Sequence, residues 1–401
     1  MLVKAHGLED DSAHNSGEQA AIDRLAMGYK DELKREFTVI QLIGYAFTTT
    51  SSWLGIAGAF VTGVAVGGPS CVSMGLVIML VANICIGITL SELMSAMPNA
   101  GAQYFWVMQL APRRLVRFSA YFTGLCNVVG SCCCGAANSM AATSMILGCV
   151  KLYLDNVNFA AWQIFLIAVA LNTSLVVFNL REEVLSRLAT IGLYISVCCC
   201  IAIIAAVPSI AKDHTTASYI FTSTENTSGW SSAGMAFLVG LINSNWAFGA
   251  LDSATHLAEE TPNPSRSGPK AIMATVGVGF VTAFPLTCAL MYSLSDYDRV
   301  INSATGSPLL ELFYLVTNSK AAAVGMMVLV VVPYILCMIN IQTYQTRIIW
   351  AFSRDNGLPL SRWLSVVHPK LHVPINALIA GIFINTLFDL LYVASTTAYN
   401  R

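Results

Sequence analysis

An all-α membrane protein of about nine transmembrane helices is the fold class that the sequence predicts, and three observations predict it. Nine stretches without Asp, Glu, Lys or Arg fill most of the 401 residues. Hydrophobic residues make up 56% of the chain and charged ones only 11%, with a mean hydropathy of +0.65, more apolar surface than a soluble core could hide. The basic residues, moreover, gather on alternate connecting segments. Only helices and closed barrels satisfy their backbone groups in lipid, and continuous apolar runs without period-two alternation exclude a barrel.

In chain order, residues 38–64, 65–91, 118–150, 156–180, 188–211, 230–251, 271–295 and 321–346 each exceed the roughly 20 residues that a helix needs to cross about 30 Å of hydrocarbon. The ninth stretch, 373–388, is shorter and meets Asp389 before it runs on to Ala394. Gly124, Gly130, Gly135, Ala136 and Ser139 give the third span a set of small residues suited to close helix contact. Most of the 12 Cys, including Cys132 to Cys134 and Cys198 to Cys200, lie inside spans. They read as small apolar packing residues rather than as disulfides or metal ligands, and no metal is expected.

With the N-terminus in the cytoplasm, 16 of the 21 basic residues fall on inside segments. Only Lys151, Lys212, Arg299, Lys320 and Arg401 fall outside, as the positive-inside rule requires. Residues 1–37 then form a polar cytoplasmic tail, and since they lack an apolar core no cleavable signal is expected. The segment from Lys212 to Gly229 faces out, where Asn226-Thr227-Ser228 is a glycosylation acceptor pattern of low specificity. A net charge of −1 without a concentrated basic face argues against a nucleic-acid partner.

Two spans differ from the rest. The first carries Thr48, Thr49, Thr50, Ser51, Ser52, Trp53, Gly55 and Gly58 in the middle of an apolar run; the sixth carries Asn243, Ser244, Asn245, Trp246, Phe248 and Gly249. Clustered Ser, Thr, Asn and Gly weaken a helix, because their side chains compete for backbone hydrogen bonds or leave it loose. Unwound backbone at membrane depth is tolerated only where it lines a cavity or is buried in protein. Five spans separate the two breaks, and an odd number inverts the second half relative to the first, the layout of an inverted repeat with a central site. Ordinary helix contacts use the same small residues, so packing stays open as the alternative for each side chain.

Four segments resemble the amino acid, polyamine and organocation permease superfamily, in particular its fungal branch of amino acid, GABA and choline permeases. They are Asp23 to Phe37 before the first span, Ser91 to Trp106 after the second, Gly249 to Pro264 with Pro269-Lys270-Ala271-Ile272, and Phe352 to Pro359 with His368-Pro369-Lys370 and Val373-Pro374. They occur in the family's order, although Ala102 stands where the second motif usually has a Gly. The resemblance implies a LeuT-type inverted-repeat bundle, with spans 1 and 6 discontinuous. Residues 38–401 would form the permease domain, its first repeat about 38–211 and its second about 230–401. Relatives typically have twelve helices, so the second repeat is expected to be incomplete, which leaves open a truncated sequence or a working nine-helix transporter.

The expected activity is secondary active transport of amino acids or related small nitrogenous solutes by alternating access, with choline as the alternative and a non-transporting nutrient sensor or inactive product behind it. Free N–H groups at one half-helix and free C=O groups at the other would hold a zwitterion. Candidate solute-binding residues are Thr50, Ser51, Ser52, Trp53, Gly55, Asn245, Trp246, Phe248 and Gly249. Ring faces near the breaks, Tyr45 among them, would attract a cation at roughly 0.5 to 2 kcal/mol each. Glu92, Asp252 and Asp389 are the acids near span ends, and proton coupling without any cofactor is expected. Glu92 and Asp252 are also read as organising the inner loops. Glu259 and Glu260, placed in an inside loop, would pair with Arg113, Arg114 or Arg354 as a gate. The six His have no ligand spacing to one another, which with the absence of a nucleophile-base set argues against an enzyme. The resembled branch points to the plasma membrane, with the vacuole as alternative, and leaves the oligomeric state open.

Overall fold

The computed structural model describes residues 37–394, except 155–156, 225, 227–228 and 304, together with Leu33 and Arg35 and without the side chains of residues 59, 61 and 62. The expected tail motif, Thr227, Ser228 and Arg401 therefore lie largely or wholly outside the described residues. Among the described residues all regular structure is helical.

The first span is two helices, α1 (Val39–Thr50) and α2 (Ser52–Gly67). Thr38 caps α1 with Gln41 reaching back, a capping box that fixes where the helix begins. Gly68, at φ 83°, turns the chain into Pro69, the first residue of α3 (Pro69–Ala96), where the missing N–H costs nothing. The short α4 (Gln103–Leu110) leads to α5 (Val116–Tyr153), α6 (Ala161–Ser174) with a 3-10 continuation to Leu180, and α7 (Glu182–Ile210). After the surface helix α8 (Ala217–Thr222), the sixth span is α9 (Ala233–Trp246) followed by the 3-10 segment Leu251–Leu257. Then come α10 (Pro264–Tyr292), the short α11 (Tyr297–Ile301) and α12 (Pro308–Thr317), α13 (Lys320–Arg354), α14 (Ser361–Leu364) and α15 (Ile375–Ala394).

Eight of these segments are long and apolar enough to cross a membrane, and the divided first span accounts for the ninth expected crossing. The short surface helices α8 and α11, the largely buried α12 and the α4 turn were not expected from the apolar pattern. They are too short to register against spans of 20 to 38 residues.

Apolar side chains such as Val81, Ile86 and Ile88 on α3, Phe118 and Phe122 on α5, and Ile379, Phe383 and Leu387 on α15 face outward. Polar ones are inside: α13 alone buries Asn340, Gln342, Thr343, Gln345, Thr346 and Arg347. That inversion suits lipid as the surrounding solvent, where packing and interhelical hydrogen bonds hold helices together. α10 packs on α3, α1, α7 and α2, while α13 packs on α5, α12, α7, α15 and α1. α1 meets α7 backbone to backbone, since a Cβ added at Gly44 would lie 2.5 Å from the carbonyl oxygen of Ala189. The chain is an integral membrane protein.

Candidate functional site

The first break is built by hydroxyls. Thr49 Oγ1 donates to the Tyr45 carbonyl at 2.7 Å, and Ser51 Oγ donates to the carbonyl of Thr48, so the last turn of α1 is held by side chains. Ser51 then adopts a left-handed conformation, φ 48° and ψ 47°, and α2 starts without a side-chain cap. The opening amides of α2 have no partner within their helix and carry the positive end of its dipole.

The second break pivots on another non-glycine residue in the left-handed region, Ala250 at φ 54°. Just before it, Phe248 N–H donates to the Asn245 carbonyl and Gly249 N–H to that of Trp246, which tightens the end of α9. The two breaks touch: Thr50 Oγ1 lies 3.5 Å from the Ala250 carbonyl oxygen, and a Cβ at Gly55 would come within 3.0 Å of that of Trp246. Glycine at 55 is what lets the carbonyl end of α9 lie against the amide end of α2.

Between them is a cavity of about 170 Å³ lined by Thr49, Thr50, Ser51, Leu54, Gly55, Gly58, Cys134, Ala137, Asn138, Ala141, Trp246, Gly249, Ala250, Tyr334, Cys337 and Ile341. It adjoins a larger one of about 640 Å³ that shares Cys134, Ala137, Trp246, Gly249 and Ala250 and adds Tyr344, Phe388 and Leu391. The inner cavity falls below the roughly 300 to 1,000 Å³ usual for drug-sized ligands, which restricts it to small solutes. None of its described lining residues is charged, so any ion held there is balanced by helix ends, hydroxyls and ring faces.

Of the nine candidate residues, the structure brings Thr50, Ser51, Gly55, Trp246 and Gly249 to this cavity. The other four point elsewhere. Ser52 packs toward Gly279 on α10, and the Trp53 indole donates to Ser196 Oγ at 2.8 Å. Asn245 accepts from the Asn83 amide at 3.5 Å, and Phe248 is buried. Tyr45 is fully buried as well, leaving Trp246 and Tyr334 as the rings on the cavity wall. Tyr334, Cys337 and Ile341 of α13 and Asn138 of α5 had no local signal, because a straight helix brings them to the site from a distance in sequence.

At the end of the bundle where α1 begins, two ion pairs close the structure. Arg354 binds Glu259 with both terminal nitrogens, at 2.8 and 3.0 Å, and lies over the Trp350 ring. Arg347 binds Glu260 at 2.6 and 2.9 Å, with Glu182 at 3.9 Å. Both acids lie in the connection after the 3-10 segment, as expected, and Arg354 is one of the expected partners. They are buried rather than solvent-facing, however: Glu259 is 3% exposed and Glu260 1%, because this connection tucks under α13. Arg113 and Arg114 are exposed on the loop before α5 and make neither pair, while Arg347, which closes the charge-free run 321–346, is a partner that the sequence pattern does not indicate. The entry to α1 joins in, with Phe37 N–H donating to the Glu260 carbonyl at 3.1 Å.

Asp252 accepts from Gln103 Nε2 at 2.6 Å and from the Tyr344 hydroxyl at 3.2 Å. Glu92 lies apart, in a surface pocket with Arg266 and Lys270. Asp389 is fully buried and accepts from Ser139 Oγ at 2.9 Å. Asn226 is exposed, and its amide donates to the Trp230 carbonyl at 2.8 Å.

The family model for amino acid permeases matches residues 40–401. A choline transporter of Saccharomyces cerevisiae is 38% identical over 92% of this chain, which spans 65% of that relative's length. A transmembrane transporter of Metarhizium robertsii is 33% identical over 92% of this chain and 73% of its own length. A putative amino acid/polyamine transporter of Macrophomina phaseolina is 30% identical over 90% and 79%, respectively. These matches run through both broken spans and the paired arginines, and the chain belongs to the amino acid permease family.

Proposed function

We propose that this chain is a secondary transporter that carries an amino acid or related small nitrogenous solute through the cavity between the two breaks, by alternating access. The observation that carries the reading is the meeting of an amide helix end (α2) with a carbonyl helix end (α9) at an uncharged cavity of about 170 Å³. A carboxylate would lie on the uncapped amides of α2 with Thr50 and Ser51, and an ammonium on the carbonyl ends of α1 and α9 beside Trp246. The repeats 38–211 and 230–401 would rock about this site. The pairs Arg354–Glu259 and Arg347–Glu260 would be the closure on the cytoplasmic side, with the N-terminus inside and the plasma membrane as the location.

Choline is the second reading. It is favoured by the 38% identity to the yeast choline transporter and by the two rings on a wall without a basic side chain. The test is uptake of radiolabelled GABA, amino acids and choline into permease-deficient yeast expressing the chain, with Gly249→Trp as the blocked form. Position 249 has room at its Cβ, so the indole would enter the cavity rather than disturb the backbone. Saturable uptake lost in the blocked form is expected. Uptake equal in both, or none from a chain that reaches the membrane, would refute the reading.

A further inference from the structure

His256 was not among the expected coupling residues, yet its place is unusual. The ring is 1% exposed on the 3-10 segment that follows the second break. Nδ1 lies 2.7 Å from the carbonyl oxygen of Ala100, and Nε2 lies 3.3 Å from Asp252 Oδ2. A carbonyl oxygen only accepts, so Nδ1 carries a hydrogen. The Nε2 to Oδ2 contact is then satisfied only when one proton occupies it, either as imidazolium donating to carboxylate or as carboxylic acid donating to imidazole. Without that proton, two lone pairs face each other in a buried site, which costs free energy.

We propose that the His256–Asp252 dyad is the proton-binding site of this transporter, an inference that rests on the transport reading above. One proton is taken from water on one side of the membrane and released to water on the other in each cycle, and no bond or electron is otherwise exchanged. The dyad is placed for that role. Asp252 comes two residues after Ala250, the pivot of the second break, and its donor Tyr344 lines the larger cavity, so water in that cavity reaches the carboxylate's hydrogen-bond shell. On the other side Ala100, which receives Nδ1–H, gives its own N–H to Glu259 Oε1 at 3.3 Å, and Glu259 is the acid that Arg354 holds. Proton occupancy at Asp252 is thereby linked through His256 and the backbone of one residue, Ala100, to the ionic closure and through one turn to the solute cavity.

The surrounding groups leave the dyad as the exchangeable centre. α4 and α5 supply the amide chain Asn127 to Gln103 to Asp252. α5 also places Cys134, α1 Tyr45 and α13 Tyr344 within electrostatic reach of Asp252. Arg347 of α13 is engaged by Glu260. α3 and α10 carry Glu92, Arg266 and Lys270 around the separate surface pocket.

The test uses the full chain in phospholipid vesicles with radiolabelled GABA and choline as probes. It compares net uptake driven by an inward proton gradient with exchange at equal pH on both sides. For the unaltered chain the gradient should stimulate net uptake about tenfold, within the roughly 5- to 150-fold span of coupled sites. His256→Gln and Asp252→Asn, each inserted at the normal level, should lose that stimulation and still exchange solute. Gradient-driven uptake retained in both variants overturns the proposal, and so does loss of exchange along with uptake in both, which would mark a structural role. Exchange without proton stimulation in the unaltered chain overturns the dyad alone, whereas absence of exchange for both probes overturns the transport reading and the dyad with it.

Discussion

Arg347 is 2% exposed between two acids, Glu260 at 2.6 Å and Glu182 at 3.9 Å. Removing one partner of a buried pair leaves an uncompensated charge and costs roughly 3 to 5 kcal/mol, whereas a solvent-facing pair contributes about 0 to 1 kcal/mol. Arg299–Glu311, with the arginine 48% exposed, is the internal comparison. Arg347→Met, which strands two acids, is expected to lower the thermal midpoint of the purified chain in detergent well beyond Glu260→Gln, which leaves Glu182 facing the guanidinium. Arg299→Gln should move it less, because the glutamine keeps a donor on the half-exposed side and Ser303 Oγ still donates to the 11% exposed Glu311. Equal midpoints for Arg347→Met and Arg299→Gln would show that the buried pair adds nothing. A second residue tests the solute reading. If Trp246 supplies cation–π attraction, Trp246→Leu should raise the half-saturating choline concentration about 2- to 30-fold, the equivalent of 0.5 to 2 kcal/mol. An unchanged choline value in an uptake titration would remove the ring from the site.

At the scale of elements, each broken span turns on one left-handed residue, Ser51 or Ala250, and neither is glycine. A β-branched side chain is a poor occupant of that region, while glycine adopts it without penalty. Ala250→Gly is therefore expected to keep solute uptake and Ala250→Val to lose most of it at equal membrane abundance. Uptake surviving in the valine form would mean that the break does not need this backbone. Helix contacts give a second contrast. A Cβ at Gly44 meets the backbone of α7, which cannot yield, so Gly44→Ala should cost about 1 to 3 kcal/mol as overpacking, read as a lower unfolding midpoint. Gly277→Ala, with nothing within 4 Å, should be neutral or slightly stabilising, as alanine is the better helix former. A Gly44→Ala midpoint matching that of Gly277→Ala would refute the close contact.

The elements also show what the sequence made legible. Spans and breaks were readable because both are local: a charge-free run encodes a span, and Thr48 to Ser52 encode the loss of helix between α1 and α2. Which side of a broken helix faces the cavity was not, and Ser52 and Trp53 turned out to serve contacts with α10 and α7. Partners distant in sequence, such as Arg347 for Glu260 or Ala100 for His256, are set by how helices cross, and no spacing rule along the chain reports that.

For the molecule as a whole, the distribution of charge decides how the bundle sits in its membrane. Sixteen of 21 basic residues belong to segments on one side if nine spans alternate, and a bias of that size sets orientation during insertion. The end of the bundle that holds the paired Arg347 and Arg354 is also the end that carries Arg113 and Arg114 on the loop before α5, and Lys212 lies at the opposite end, just after α7. A cytoplasmic N-terminus therefore predicts that Lys212→Cys in intact cells reacts with a membrane-impermeant maleimide above the level of the parent chain's own cysteines. Arg113→Cys should react only after the membrane is permeabilised. The same orientation exposes Asn226 to the glycosylation machinery, so an endoglycosidase shift lost in Asn226→Gln would agree with it. Labelling of Arg113→Cys in intact cells with protection of Lys212→Cys would invert the bundle. The ionic closure would then face outward, and the direction assigned to alternating access would have to be reversed.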